Sequence, residues 1–208
     1  MSRSTGADRL AESLRSRVLS GELAPDQPLR EEAIALEHGL SRHTVRRALE
    51  RLVADRLLVS EPYRGVRVTS FSDDDVVALQ QLRSALECEA VRLVRARHGD
   101  VWPDDVVGPL VESARRLATA PAVEEAHAAF HRELVAAAGS PRITEAYARL
   151  DTEMLLFLRQ LRFHYDAPTL CTEHEEYLGA VQSGGEAAVR VHLDRSTELL
   201  LAARSRTS

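Results

Sequence analysis

Four histidines in the second half of the chain, His127, His131, His174 and His192, offer the first hint of chemistry. His127 and His131 are four residues apart, so on a helix both point to one face and can grip a single ion. His174 and His192 fall on the last two predicted helices, which the Gly184-Gly185 turn folds back as antiparallel neighbours. Four imidazoles from three helices can then converge inside a bundle. Neutral imidazole favours zinc, nickel, copper or iron over calcium and magnesium. Each signal is weak alone. A His pair at this spacing is more often structural than metal-binding, and His38, His98 and His164 read as structural or surface residues. Cys171 and His174 have a metal-like spacing, but one such pair on one helix is poor evidence.

A second cluster lies near the N-terminus, where Arg42, His43, Arg46, Arg47 and Arg51 share the outward side of a predicted helix that buries Val45, Leu49, Leu52 and Val53. Arg can make two hydrogen bonds to one guanine, and hydroxyls such as those of Ser41 and Thr44 suit phosphates. An Arg-rich helix is usually only a solvated face. The ordered elements around this one argue for more.

Those elements begin with an amphipathic helix over Asp8 to Ser20, in which Leu10, Leu14, Val18 and Leu19 recur at helical spacing. A turn-rich link, Gly21 to Pro28, leads to a short helix from about Arg30 to His38, with Ala33, Ile34 and Leu36 as expected apolar contacts. Gly39-Leu40 closes it, and Ser41 is a good N-cap for the Arg42 to Asp55 helix. Two helices joined by a short Gly-containing turn, with Arg at the start of the second, form the helix-turn-helix pattern. The second helix of such a pair lays its N-terminal residues at base edges in the major groove. Leu57 to Ser60 and Val66 to Thr69 read as strands around a turn, Glu61 to Gly65. That hairpin forms a wing with Arg64 at its tip, near a phosphate or the minor groove.

After a linker, Thr69 to Ser72, no strand pattern appears. Val76, Leu79, Leu82, Leu86, Ala90 and Leu93 keep helical period over Asp73 to Arg97. Further helices are expected at Asp104–Ala118, Ala122–Ala138, Pro141–Phe163, Thr169–Ser183 and Glu186–Arg204. Ala167-Pro168 is among the predicted breaks. The fold class is therefore mainly α: a winged helix-turn-helix over residues 1–70 and an all-helical bundle of about six helices over 73–208.

A net charge of -5 hides a split, because residues 1–70 hold 12 Arg against 10 acids while the remainder holds 15 Arg against 22. Only a local basic face is needed to meet phosphates. Two cysteines make no disulfide framework, no run spans a bilayer, and Met1 to Leu10 lacks a secretion signal, so a cytoplasmic location is expected.

Three stretches resemble the DNA-binding domain of GntR-type bacterial regulators: Leu19 to Pro25, Gly39 to Leu49, and Arg64 to Val68. The resemblance implies that Ser41, Arg42, His43, Arg46 and Gly65 face the operator. His43 stands where Thr is usual, and Glu32 where some members carry an operator-contacting Arg, which points to a different target sequence. Residues from about Asp73 to Arg204 resemble the FCD domain of one GntR subgroup, through Leu82 to Glu87, Ala129 to Leu134, Ala138 to Pro141, Glu173 to Glu175 and Val191 to Leu193. Many FCD domains hold a divalent metal through an Asp and three His. The His positions match His131, His174 and His192, and His127 occupies the Asp position. An all-His site leans toward zinc or nickel. The resemblance also implies that Arg83 pairs with a carboxylate effector, since its planar fork suits that group. Arg83 pairing with Glu87, four residues on, is an equal alternative.

Together these features imply a ligand-responsive transcriptional regulator, a repressor rather than an activator, that binds a double-stranded DNA operator as a homodimer and answers a small organic acid. A metal-stabilised regulator without an effector is one alternative. A metal-dependent hydrolase is another, but there is no HExxH motif and it leaves the helix-turn-helix unexplained.

Overall fold

The computed structural model describes residues 5–161 and 166–207. Among them are nine helices and one small sheet, and the chain divides into two compact units, Met1–Phe71 with Thr152–Gln160 and Ser72–Asp151 with Leu161–Ser208. The expected helix end at Phe163, and His164, lie outside the described residues.

The first unit opens with α1 (Gly6–Leu19), capped by a reciprocal bond pair between Thr5 and Asp8. α2 (Glu31–His38) and α3 (Arg42–Ala54) follow as the helix-turn-helix. Gly39 stands at φ 63° between them, the left-handed region where a Cβ is unfavourable, and the Leu40 amide donates back to the Ala35 carbonyl. Ser41 Oγ accepts from the Thr44 amide and so starts α3. Val45, Ala48, Leu49 and Leu52 are buried on the α3 face that packs with α1, whose Leu10 and Leu14 are buried too. On α2 only Ile34 is buried. Leu36 is 87% exposed and Ala33 faces solvent, which corrects the expectation that all three pack. One turn of an eight-residue helix has room for little more than one inward side chain.

The wing comprises β2 (Leu58–Glu61) and β3 (Gly65–Val68), paired antiparallel with Leu58 opposite Val68. A two-residue strand, β1 (Pro28–Leu29), adds to the other edge of β3, giving the order β1-β3-β2. The sequence reading took Pro28 as part of a link, because two residues carry no alternation to detect. Residues 152–160 belong to this unit: Phe157 meets Phe71 edge-on at 5.4 Å, and Gln160 donates to the Thr69 carbonyl at 2.6 Å.

The second unit contains α4 (Asp73–His98), α5 (Asp104–Arg116), α6 (Val123–Ala136), α8 (Ala167–Gly184) and α9 (Glu186–Thr207). It also holds the first half of α7 (Pro141–Leu161). Ser72 and Asp75 form a capping box at the start of α4. Ala167-Pro168, expected as a break, instead opens α8, where Pro needs no amide partner and Asp166 caps the helix. The inward face of α4 also differs from the apolar pattern. Leu82 is 52% exposed, while Gln80, Arg83 and Glu87 are buried beside Val76, Ala90, Val91 and Val94. A polar stripe lies where a uniform apolar core would be expected, and it marks the site.

Candidate metal centre and nucleic-acid interface

α6, α8 and α9 bring His127, His131, His174 and His192 together, as their spacing predicts. One ligand atom from each lies within 4.8 Å of all the others. His131 Nε2 is 3.2 Å from His127 Nε2 and 3.3 Å from His174 Nε2. Zinc held by imidazoles at roughly 2.0–2.1 Å in a tetrahedron needs nitrogens about 3.3 Å apart. Two of the six edges match that separation and none exceeds 4.8 Å, so an ion that closes the wider edges fits this donor set.

The outer contacts fix which nitrogen faces inward. His131 Nδ1 donates to Glu87 Oε2 at 3.1 Å, and His174 Nδ1 donates to the Leu170 carbonyl at 2.8 Å. A carboxylate and a carbonyl only accept, so each ring carries its proton on Nδ1 and turns a lone pair at Nε2 toward the cluster. His192 is held by stacking on Tyr177, with ring centroids 4.0 Å apart. Burial depresses all four histidines: His174 falls to about 4 and His192 to about 3, and His127 and His131 lie well below their ordinary value. Neighbouring imidazoles add to the effect on His127, and the Arg83 charge adds to it on His131. The rings are neutral near pH 7, the form that ligates metal.

Glu87, fully buried, is the hub behind them. Its Oε1 accepts from Arg83 Nε at 2.8 Å and from the Tyr147 hydroxyl at 2.7 Å. Its Oε2 accepts from His131 and from the Tyr177 hydroxyl at 3.3 Å. Four donors meet the roughly four lone-pair positions of a carboxylate. Arg83, 3% exposed, also bonds Tyr147 and Gln80. Sequence reasoning named the Arg83–Glu87 pair but missed Tyr147, Tyr177 and Gln80. Gln80, Arg83 and Glu87 recur at steps of three and four, and that polar helical period was the available signal.

A cavity of about 610 Å³ lies over this cluster, with His127, His174 and His192 at its floor. Leu170, Val191 and Leu199 supply apolar wall, and Thr169, Arg195 and Ser196 supply polar groups. Arg83 is not among the lining residues and stands behind His131, on Glu87.

In the first unit, Arg42, His43, Arg46 and Arg47 are exposed on α3, and Ser41 and Thr44 bond each other at 2.8 Å where the helix starts. Arg64 and Gly65 are exposed in the wing, where Gly65 has φ 74°. Arg51 is tied to Asp8 at 3.0 Å. Carboxylates also accompany Arg42, Arg46 and Arg64. Arg46 forks onto Glu31 at 2.9 and 2.8 Å, Arg42 lies 2.8 Å from Glu32, and Arg64 donates to Glu61 at 2.7 Å.

Residues 7–68 match the model for bacterial regulatory proteins of the gntR family, and residues 78–198 match the FCD domain. The chain is 31% identical over 144 residues to the HTH-type transcriptional repressor GlaR of Escherichia coli (strain K12), a match covering 66% of this chain and 65% of that protein. It is also 31% identical to the HTH-type transcriptional regulator BphR of Paraburkholderia xenovorans (strain LB400), over 90% of this chain and 77% of that one. A crystal structure of a GntR transcriptional regulator from Rhodococcus sp. RHA1 superposes with a TM-score of 0.71 at 28% identity, covering 95% of this chain and 98% of that one. These relatives are regulators rather than enzymes, which removes the hydrolase alternative. No described helix is long and apolar enough to cross a membrane. The chain belongs to the GntR family of bacterial regulatory proteins, in the group that joins a winged helix-turn-helix to an FCD domain.

Proposed function

We propose that this chain is a cytoplasmic, ligand-responsive transcriptional repressor that binds its operator as a homodimer. The α3 residues Ser41, Arg42, His43, Thr44, Arg46 and Arg47 enter the major groove, with Arg64 and Gly65 of the wing on the flanking backbone. Repression is carried over from the E. coli relative. Two-fold symmetry of a dimer suits two half-sites about one turn apart.

In the second unit, His127, His131, His174 and His192 hold one divalent ion, zinc or nickel by donor type. When bound, the ion supplies a Lewis-acidic contact for an anionic ligand. A small organic acid enters the cavity above the histidines, and apolar wall and polar rim contacts select it. Arg83 meets the acid's carboxylate only where that carboxylate takes over bonds now given to Glu87. For the acid to act as a switch, it must bind two arrangements of the protein with different affinity.

The observation that carries this reading is the convergence of four neutral imidazoles, three of which line a cavity large enough for a small acid. The test is metal content by plasma mass spectrometry, followed by calorimetric titration of the metal-loaded chain with a panel of organic acids. The expected results are about one transition metal per chain and heat with at least one acid. Metal without heat across the panel favours the second reading, a structural ion, which a complete set of four protein ligands supports. A chain that takes up neither zinc nor nickel removes the metal from the mechanism.

A further inference from the structure

Of the four arginines proposed to meet DNA through α3 and the wing, three lie beside a carboxylate of the same unit: Arg42 beside Glu32, Arg46 beside Glu31 and Arg64 beside Glu61. Stability does not account for the Glu32 and Glu61 pairs. The Arg42 and Glu32 side chains are 67% and 72% exposed, and Arg64 and Glu61, an i,i+3 pair, are 60% and 36% exposed; ion pairs this open to solvent contribute little to folding. Their placement has a consequence for binding instead. A carboxylate takes the guanidinium donors that a phosphate or a guanine would take. It also adds negative charge to a surface that must approach a polyanion.

We infer that Glu32 and Glu61 are specificity-determining residues, which occupy Arg42 and Arg64 until operator contacts draw those arginines away. DNA of arbitrary sequence is held chiefly through its phosphates, and these must compete with a carboxylate already in place. An operator adds base contacts, and these tip the exchange. Glu31 has a different part. Its side chain is 29% exposed and takes both arms of the Arg46 fork, so it orients that side chain. The hydrogen bond from Arg46 holds the Glu31 carboxyl below its ordinary range. The inference rests on the DNA-binding reading above.

The test compares the wild-type chain with a Glu32→Gln/Glu61→Gln variant by fluorescence anisotropy. One probe is a random-sequence duplex of about 30 base pairs, and the other is a duplex enriched by the wild-type chain from a random library. A Glu112→Gln/Glu198→Gln variant makes the same charge change on exposed residues of the second unit. Removing one like charge about 4 Å from a phosphate is worth on the order of fivefold in water. The Glu32/Glu61 variant is therefore expected to bind the random duplex at least fivefold tighter. Its log–log salt slope between about 50 and 200 mM should steepen by about 0.9 for each extra phosphate neutralised. The ratio of enriched-duplex to random-duplex affinity should fall. Unchanged random-duplex affinity and slope, or equal tightening in the Glu112/Glu198 control, would overturn the inference while leaving DNA binding intact. A wild-type chain that binds no duplex at low salt would overturn the DNA-binding reading and the inference with it.

Discussion

On α3 and the wing, Arg42, Arg46 and Arg64 stand in solvent beside carboxylates, whereas in the second unit Arg83 and Glu87 face each other with almost no exposure. The same two side-chain types serve opposite ends. In solvent a partner is cheap to exchange, because water and salt replace it at once. Inside the bundle a partner cannot be given up, because no water waits to take its place. Surface pairs are therefore suited to recognition, and the buried pair to holding ligand atoms still.

The contrast can be broken most severely at the histidines. A His131→Ala/His174→Ala chain should fall from about one metal per chain to background by mass spectrometry, yet keep wild-type affinity for a random duplex. Joint loss of both would deny that the two regions work on separate chemistry. Next in size is Glu87→Ala, which strands Arg83, Tyr147, Tyr177 and His131. Breaking a buried pair costs about 3–5 kcal/mol, so thermal unfolding should shift down by roughly 6–20 °C, against almost nothing for Glu32→Gln. A shift of only a degree or two would show that Glu87 is not the hub.

Acidification sharpens the comparison further. In metal-stripped protein the folded-state values of His174, about 4, and His192, about 3, lie below the ordinary 6.5. The unfolded chain therefore binds more protons over that interval, and stability rises with pH. The contribution is fully present above about pH 6.5 and is lost as pH falls through 4 toward 3. Urea midpoints at pH 7 and pH 5 should differ in that direction in stripped protein, and equal midpoints would argue against neutral buried rings. The smallest effect is expected from Ser41→Ala, about 1 kcal/mol through loss of the α3 cap, measured by urea unfolding.

Features written in local backbone demands were legible from the residues alone. Gly39, Ser41 and Gly65 announce a left-handed turn, a helix start and a hairpin, and each stands in that role. The histidine cluster was legible in part: spacing pairs His127 with His131, the Gly184-Gly185 turn sets α8 beside α9, and the resemblance to FCD domains joined the two. The rear of the site was not. Tyr147 and Tyr177 lie 60 and 90 residues from Glu87, and no local pattern joins them. The face of α4 was misjudged because counting leucines selects Leu82 and Leu86, while the buried stripe contains Gln80, Arg83 and Glu87. Periodicity rewards apolar atoms and passes over polar ones that a network has satisfied.

The crowded carboxylate of Glu87 also bears on time. To flip, the His131 ring must withdraw its Nδ1 proton from a carboxylate oxygen buried with it, so rotation awaits a wider opening of the bundle. The same confinement shields that N–H from solvent exchange. It should persist as a distinct downfield proton resonance in water, a clock reporting how often this interior opens.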